Sequence, residues 1–422
     1  MAPLEPWEKV LVDGEAFLQT DHGKLTCIEC HAGENTAEKD SAHNGLIASP
    51  SAQPEEFCGE CHEDQVASYP NSLHNTQAGY WTAINTRSGD IPENHPVLEE
   101  MFGNHCATCH TTCGECHVSQ PKNVGGGLFT GHVFEKTPPM TRSCTACHGS
   151  RVGTEFLGKN EGIPGDVHFR EARINCVKCH EGTDLHGTAD ASSAPDHRLE
   201  GVEDPKCVDC HAEVVSGDAV EMHQQHGETL SCQVCHSVTY TSCDGCHVAV
   251  SETSGKPFFE TQATYSTFLI GRNPIQSEDR PYEFVPVRHV PSAPTSYEFY
   301  GENLLPSFDS LPTWVYATPH NIQRNTPQNT SCEACHSNPE LFLTAEKVTP
   351  EELTANASVI ISALPLSIDV ILSAPVLPAG HEKHIGDSCL LCHESGVKDA
   401  PVNPADHVDY ADANCTKCHK LP

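Results

Sequence analysis

Residues 106–118 read CATCHTTCGECHV, two copies of Cys-x-x-Cys-His with only Thr111 and Thr112 between them. Four cysteines and two histidines crowded into so short a run exceed what a hydrophobic core requires. The crowding asks for a group that the thiols hold covalently, or for a bound metal. Working outward, the same unit recurs. All 24 cysteines fall into it, with none left over. The units are Cys27/Cys30/His31, Cys58/Cys61/His62, Cys106/Cys109/His110, Cys113/Cys116/His117, Cys144/Cys147/His148 and Cys176/Cys179/His180. They continue with Cys207/Cys210/His211, Cys232/Cys235/His236, Cys243/Cys246/His247, Cys332/Cys335/His336, Cys389/Cys392/His393 and Cys415/Cys418/His419. Histidine is 28 of 422 residues, so its presence after all twelve pairs is not accidental.

Cys-x-x-Cys-His is the attachment signature of c-type haem. Two thiols three residues apart each form a thioether to one vinyl of the same porphyrin, and the adjoining imidazole becomes the proximal iron ligand. A disulfide framework explains paired cysteines but not the histidine that always follows, and the chain is long for such a scaffold. Zinc ribbons join two Cys-x-x-Cys units per metal and need no histidine there. A thioredoxin-like redox motif occurs once per domain.

Twelve attachment units in 422 residues leave about 35 residues per haem. The chain is 37% apolar and 6% aromatic, with 30 Gly and 31 Pro. Porphyrin therefore supplies much of the buried apolar surface that side chains would otherwise provide. The fold expected is mostly irregular coil with short α-helices and few β-strands, wrapped around a stacked chain of twelve covalently bound c-type haems. Residues 1–247 form a haem-dense region with nine haems. Residues 248–331 form a haem-free insertion, and 332–422 a C-terminal region with three haems. The apolar run at 357–379, ASVIISALPLSIDVILSAPVLPA, is interrupted by Pro365, Asp369 and Pro375 and is not a membrane span. It reads as buried strands, or as a strand offered to a neighbouring subunit.

First cysteines follow one another at 31, 48, 7, 31, 32, 31, 25, 11, 89, 57 and 26 residues, with a repeat of about 31 from Cys113 to Cys207. The tight pair at 106 is echoed by CQVCHSVTYTSCDGCHV at 232, as if one packing unit were used twice. An offset of seven residues allows two haems to lie nearly in contact. The net charge of −34 argues against nucleic acid and anionic membrane surfaces, and reads as a device for solubility.

Each iron has a second axial position. There are 4 methionines, Met1, Met101, Met140 and Met222, which could serve at most a third of the haems. Histidines outside the motifs number 28 − 12 = 16, so bis-histidine ligation is expected, with potentials below those of His/Met cytochromes. The distal candidates are His22, His43, His74, His105, His132, His168, His186, His226, His289, His320, His384 and His407. His95 and His197 are the weakest, and one member each of His223/His226 and His381/His384 is taken as surplus. His22, His226 and His384 stand five or six residues before a first cysteine, too close to reach the same haem's far face. They should serve a neighbour.

On these motifs the chain resembles a multihaem, dodecahaem c-type cytochrome, and is similar to extracellular cytochromes that polymerise into haem nanowires. The resemblance implies electron transfer outside the cytoplasm, in the extracellular space or the periplasm, with covalent haem c and other cytochromes or redox proteins as partners. It implies no nucleic acid and no transmembrane anchoring. MAPLEPWEKVLVDGE has no apolar run, so a leader removed beforehand is expected. A haem near each end, at Cys27 and Cys415, suits self-association into filaments, with a terminal haem borrowing its distal histidine, His22 being the candidate, from the next subunit. The expectation is an electron-transfer protein and not an enzyme. The alternatives are a multihaem oxidoreductase for nitrite, hydroxylamine or a sulfur oxyanion with one open haem, or a carrier subunit of a membrane complex. Multihaem nitrite reductases often carry Cys-x-x-Cys-Lys, which is absent from this sequence.

Overall fold

The motifs build their own local structure. In a computed structural model, Cys27–His31, Cys113–His117, Cys144–His148, Cys232–His236 and Cys332–His336 are five-residue α-helices. The model describes residues 5–109, 111–199, 205–215, 220–290, 293–365, 367–373, 376–384, 389–393, 396, 400–402 and 419. A helix this short is marginal by propensity alone, so its ends matter. Thr26 and Thr112 each cap one, in a reciprocal box with Glu29 and Glu115. Ser331 accepts from the Ala334 amide at 3.3 Å in the same position. The sixth and seventh motifs make 3₁₀ turns at Cys176–Lys178 and Cys207–Asp209.

The chain is mostly irregular, with many short helices and few strands. Seven strands are described: β1 (Tyr240–Asp244), β2 (His247–Val250), β3 (Pro257–Glu260), β4 (Ala263–Thr267), β5 (Leu269–Arg272), β6 (Phe284–His289) and β7 (Trp314–Tyr316). The ninth motif thus differs from the helical ones, because it runs from β1 into β2. Two antiparallel pairs, β1–β4 and β2–β3, accompany an antiparallel sheet in the order β5-β6-β7.

Among the described residues two larger side-chain cores stand out beside a smaller one of Val234, Ile270, Phe342 and Ile361. One joins the two eleven-residue helices, Ala78–Ser88 and His95–His105, to Tyr297, Leu304, Leu305 and Phe308 through Ile84, Leu98 and Met101. The other lies on the β5-β6-β7 sheet, where β-branched Val285 and Val287 pack with Leu343, Val348 and Val359. Met101 is wholly buried in the helix core among apolar side chains, which removes it from contention as a ligand.

The apolar run departs from the strand expectation. Val359 and Ile361 lie against β5, with the Arg272 amide donating to Val359 O at 2.8 Å and the Ile361 amide to Leu343 O at 2.8 Å. Neither is part of a strand, and Ile368–Ser373 is helical. Gly271 permits this approach: a Cβ there would meet Val287 at 2.8 Å and Val359 at 3.0 Å. Among the described residues no helix is long and apolar enough to cross a membrane.

Candidate haem-binding sites

Nine motif histidines face a histidine from elsewhere in the chain. The pairs are His31/His132, His62/His22, His117/His186, His148/His74, His180/His320, His211/His168, His236/His223, His336/His226 and His393/His381. Their ring centroids lie 5.8 to 6.3 Å apart. That spacing is too wide for direct ring contact to explain it. Two imidazoles bracketing one metal, each bonded at about 2.0 Å with its centroid about 1.1 Å behind the ligating nitrogen, would stand about 6.2 Å apart. The residues present fit an iron porphyrin slotted between each pair.

The ring orientations agree with that role. A ligating imidazole ordinarily donates its second nitrogen to a carbonyl or carboxylate, which fixes the tautomer. Nδ1 of His31 donates to Ile47 O and that of His117 to Glu135 O, both at 2.7 Å. His236 donates to Gln323 O at 3.2 Å and His393 to Pro401 O at 2.8 Å. On the facing side His226 donates to Met222 O at 3.1 Å and His168 to the Asp166 carboxylate at 3.0 Å. His320 donates to Thr318 O at 2.9 Å. Thr318 takes φ +42°, a left-handed conformation rare for a β-branched residue, to present that carbonyl. In every case Nε2 is left to point inward.

Burial holds His74 and His320 down to about 4, so each is the neutral imidazole that a metal requires. Burial likewise pushes the thiols of Cys58, Cys116, Cys235 and Cys335 up to about 11. Such sites disfavour the thiolates that zinc needs and suit uncharged thioethers. Among the described residues no three His, Cys, Asp or Glu side chains converge on a bare-ion site.

A continuous cavity of about 4980 Å³ runs past the first eight motifs as far as they are described, several times the 300–1,000 Å³ usual for one small ligand. Along it the sulfurs of different motifs approach one another. Cys58 lies near both Cys30 and Cys113, and Cys116 near Cys144. Cys144 and Cys176 are within hydrogen-bonding reach, as are Cys207 and Cys232. Cys179 adjoins Cys210, and Cys235 adjoins Cys335. The spatial order of motifs is therefore first, second, fourth, fifth, sixth, seventh, eighth and tenth. The third lies to the side, with Cys109 against Cys147 of the fifth. The two motifs of CATCHTTCGECHV thus both reach the fifth, by different sulfurs.

Several sequence candidates are placed otherwise. His289 is held on both nitrogens, by Asp244 at 2.5 Å and by Glu352 at 3.0 Å, and stacks on Trp314. It is an ion-pair centre in the β-sheet and faces no motif histidine among the described residues. His105 bonds the Tyr300 hydroxyl at 2.8 Å, and exposed His43 donates Nδ1 to Lys39 O at 2.6 Å. Neither faces a motif histidine among the described residues. His95 pairs with Asp90, while His197 lines the cavity. Conversely, His223 and His381, counted as surplus, face His236 and His393. His223 and His226 stand one turn apart on the Glu221–His226 helix and fan out to different motifs. His110, His407, Cys415, Cys418 and the side chains of His384 and Cys392 lie outside the described residues; His419 is described without its cysteines.

The His289 arrangement carries a pH signature. Burial works to lower its pKa, but Glu352 and Asp244 outweigh burial and raise it overall. A group whose pKa is raised on folding contributes fully below its unfolded value of about 6.5 and loses that contribution as pH rises through the folded value. His289→Gln is expected to cost about 2–4 kcal/mol at pH 6. The difference from the native chain should shrink in denaturant titrations at progressively higher pH.

Residues 57–149, which hold the second to fifth motifs, match the family Cytochrome c554 and c-prime. That stretch is a multihaem c-type cytochrome domain, and its family implies haem c and electron transfer. No curated protein and no solved structure matches the chain.

Proposed function

We propose that this protein carries electrons along a chain of c-type haems, twelve by motif count, whose spine is closed by imidazole on both faces of each iron. The nine facing histidine pairs carry this reading. Six-coordinate iron changes oxidation state with little rearrangement and offers substrates no site, which suits a carrier. The protein supplies order and spacing: thioethers from neighbouring motifs meet along one cavity, so adjacent porphyrin edges lie close. Haem is attached to such motifs on the outer side of the cytoplasmic membrane, which supports a location outside the cytoplasm. The test is spectroscopic. Intact mass should show twelve porphyrins, and paramagnetic resonance should be dominated by low-spin ferric signals. Zinc in place of porphyrin, or a mainly high-spin spectrum, would overturn the reading.

Self-association into filaments is the finer part of the proposal. Trp7, Val10, Leu11 and Leu18, close to the first motif, are each more than half exposed, an apolar strip suited to a second copy. His22 faces His62 within its own chain, so the role of ligand across a subunit boundary passes from His22 to His43. Its Nδ1 is anchored and its ring is open to solvent. In electron micrographs His43→Ala should shorten or abolish filaments, whereas His22→Ala should leave their length intact and open one iron. Filaments unchanged by His43→Ala would count against this assignment.

A further inference from the structure

Cations are sparse in this chain, 24 Lys and Arg against 58 Asp and Glu, yet three guanidinium groups gather at one place along the cavity. Strand β6 accounts for the first. Val287 packs in the sheet's own core and His289 stacks on Trp314 of that core. Successive strand side chains alternate faces, so Arg288 between them turns to the other face, where it lines the cavity. Val315 of β7 is its register partner, and the chain just beyond Val315 holds the second. There Arg198 donates to Tyr316 O at 3.0 Å and to Thr318 Oγ1 at 3.4 Å. The third, Arg151, donates to Glu155 at 3.1 Å. Arg288 lies within electrostatic reach of both other arginines.

The cluster is short of negative charge. Glu155 accepts from Arg151 and from the His320 amide at 2.8 Å, so it offsets one guanidinium of the three. The nearby Asp166 carboxylate is taken up by the amides of His168 and Ile322, both at 2.7 Å, and by His168 Nδ1 at 3.0 Å. Arg288 Nε is buried and makes no hydrogen bond among the described residues. A buried donor without a partner is costly, and more so on a charged group. The group that answers both deficits is a carboxylate, which a guanidinium fork can hold by two parallel hydrogen bonds. Position identifies its source. Thr318, whose hydroxyl meets Arg198, gives its carbonyl to His320 Nδ1 at 2.9 Å, and Arg151 acts on the same imidazole. The arginines therefore border the slot between His180 and His320, and a porphyrin brings carboxylates of its own as propionates.

We propose that Arg288 and Arg198, flanked by Arg151, form a carboxylate pocket that takes the propionates of the sixth-motif haem and raises its reduction potential. Guanidinium charge beside a haem favours the reduced form, which carries one more electron. This rests on the haem-attachment reading, and peptide mapping keeps the two apart: a sixth motif without porphyrin refutes attachment there and the proposal with it. With that porphyrin present, the pocket is tested by itself. In redox titrations of the haem-loaded chain, Arg288→Gln should lower one haem's reduction equilibrium constant about tenfold, a shift of about 59 mV for one electron. The porphyrin count should not change. The same variant should displace a propionate bending band in the resonance Raman difference spectrum. Arg288→Lys, which keeps the charge but not the fork, should restore the potential and leave that band displaced. Should Arg288→Gln fail to fold, Arg198→Gln, at an exposed position, carries the same two measurements. Potentials unchanged in both variants overturn the proposal. A lowered potential with an unmoved band shows charge acting from a distance and overturns the propionate contact. Inorganic phosphate should leave the native titration as it is. A native potential that follows phosphate concentration, and ceases to in Arg288→Gln, would assign the pocket to a free oxyanion and overturn the proposal.

Discussion

Produced without covalent haem attachment, the chain is expected to have no folded state over its first eight motifs. Protein interiors hold few voids larger than a water molecule. A cleft of about 4980 Å³ leaves this part of the chain little side-chain core of its own, while ordering each residue costs about 1–2 kcal/mol of backbone entropy. Net stabilities are about 5–15 kcal/mol. The protein cannot hold that space open by itself, so the cofactor is part of the core and not cargo within it. Replacing all motif cysteines by serine should yield a coil-like far-ultraviolet circular dichroism spectrum and rapid proteolysis. Residual amide protection is expected only where side chains make their own core, on the β5-β6-β7 sheet with Leu343, Val348 and Val359 and on the helices Ala78–Ser88 and His95–His105. Native-like dichroism in the haem-free chain would refute this.

The second large effect is expected at Glu155. This carboxylate is wholly buried, accepts from Arg151 at 3.1 Å and takes the His320 amide at 2.8 Å. Burial raises its pKa, with Arg151 opposing. Burial also lowers the nearby Arg288 guanidinium to about 10, and Arg288 interacts with both Arg151 and Glu155. Glu155→Ala would leave two guanidinium groups close together without their counter-charge, at a cost of about 3–5 kcal/mol. It would also release the backbone that positions His320, so the iron of the sixth motif should turn partly high-spin. Glu155→Gln keeps the hydrogen-bonding shape and should cost about 1–3 kcal/mol. Denaturant titration and paramagnetic resonance together check this. A stable Glu155→Ala protein with unchanged spin state would show that His320 is held by other means.

What could be read from residues alone was local. Each Cys-x-x-Cys-His unit announces itself, and a Thr or Ser stands before the first cysteine of the helical ones, though Ser242 stands before the strand-borne ninth. The scarcity of methionine pointed to imidazole as the second ligand. The pairing was not legible, because it is set by how coil segments pass one another. His180 meets His320 and His74 meets His148 across stretches with no periodic signal. His289 misled for the same reason: Asp244 and Glu352, which claim both its nitrogens, come from distant parts of the chain. His223 and His226 could have been separated in advance, since an iron held by its motif histidine has one axial position left and cannot take both. The run at 357–379 has the composition of a strand, but its described residues make turns, bends and the short helix Ile368–Ser373.

The capped attachment units have a bearing on biogenesis. Thr26 and Glu29, or Thr112 and Glu115, complete their hydrogen bonds within four residues of sequence, so these units need no distant residue for their local shape. Its imidazole partner often emerges much later. A metal held by His31 would wait for His132, and one held by His180 for His320. Were haem fitted in chain order, an early iron would be held on one side until its partner arrived, and a chaperone-like shield over that interval would protect it most where the wait is longest.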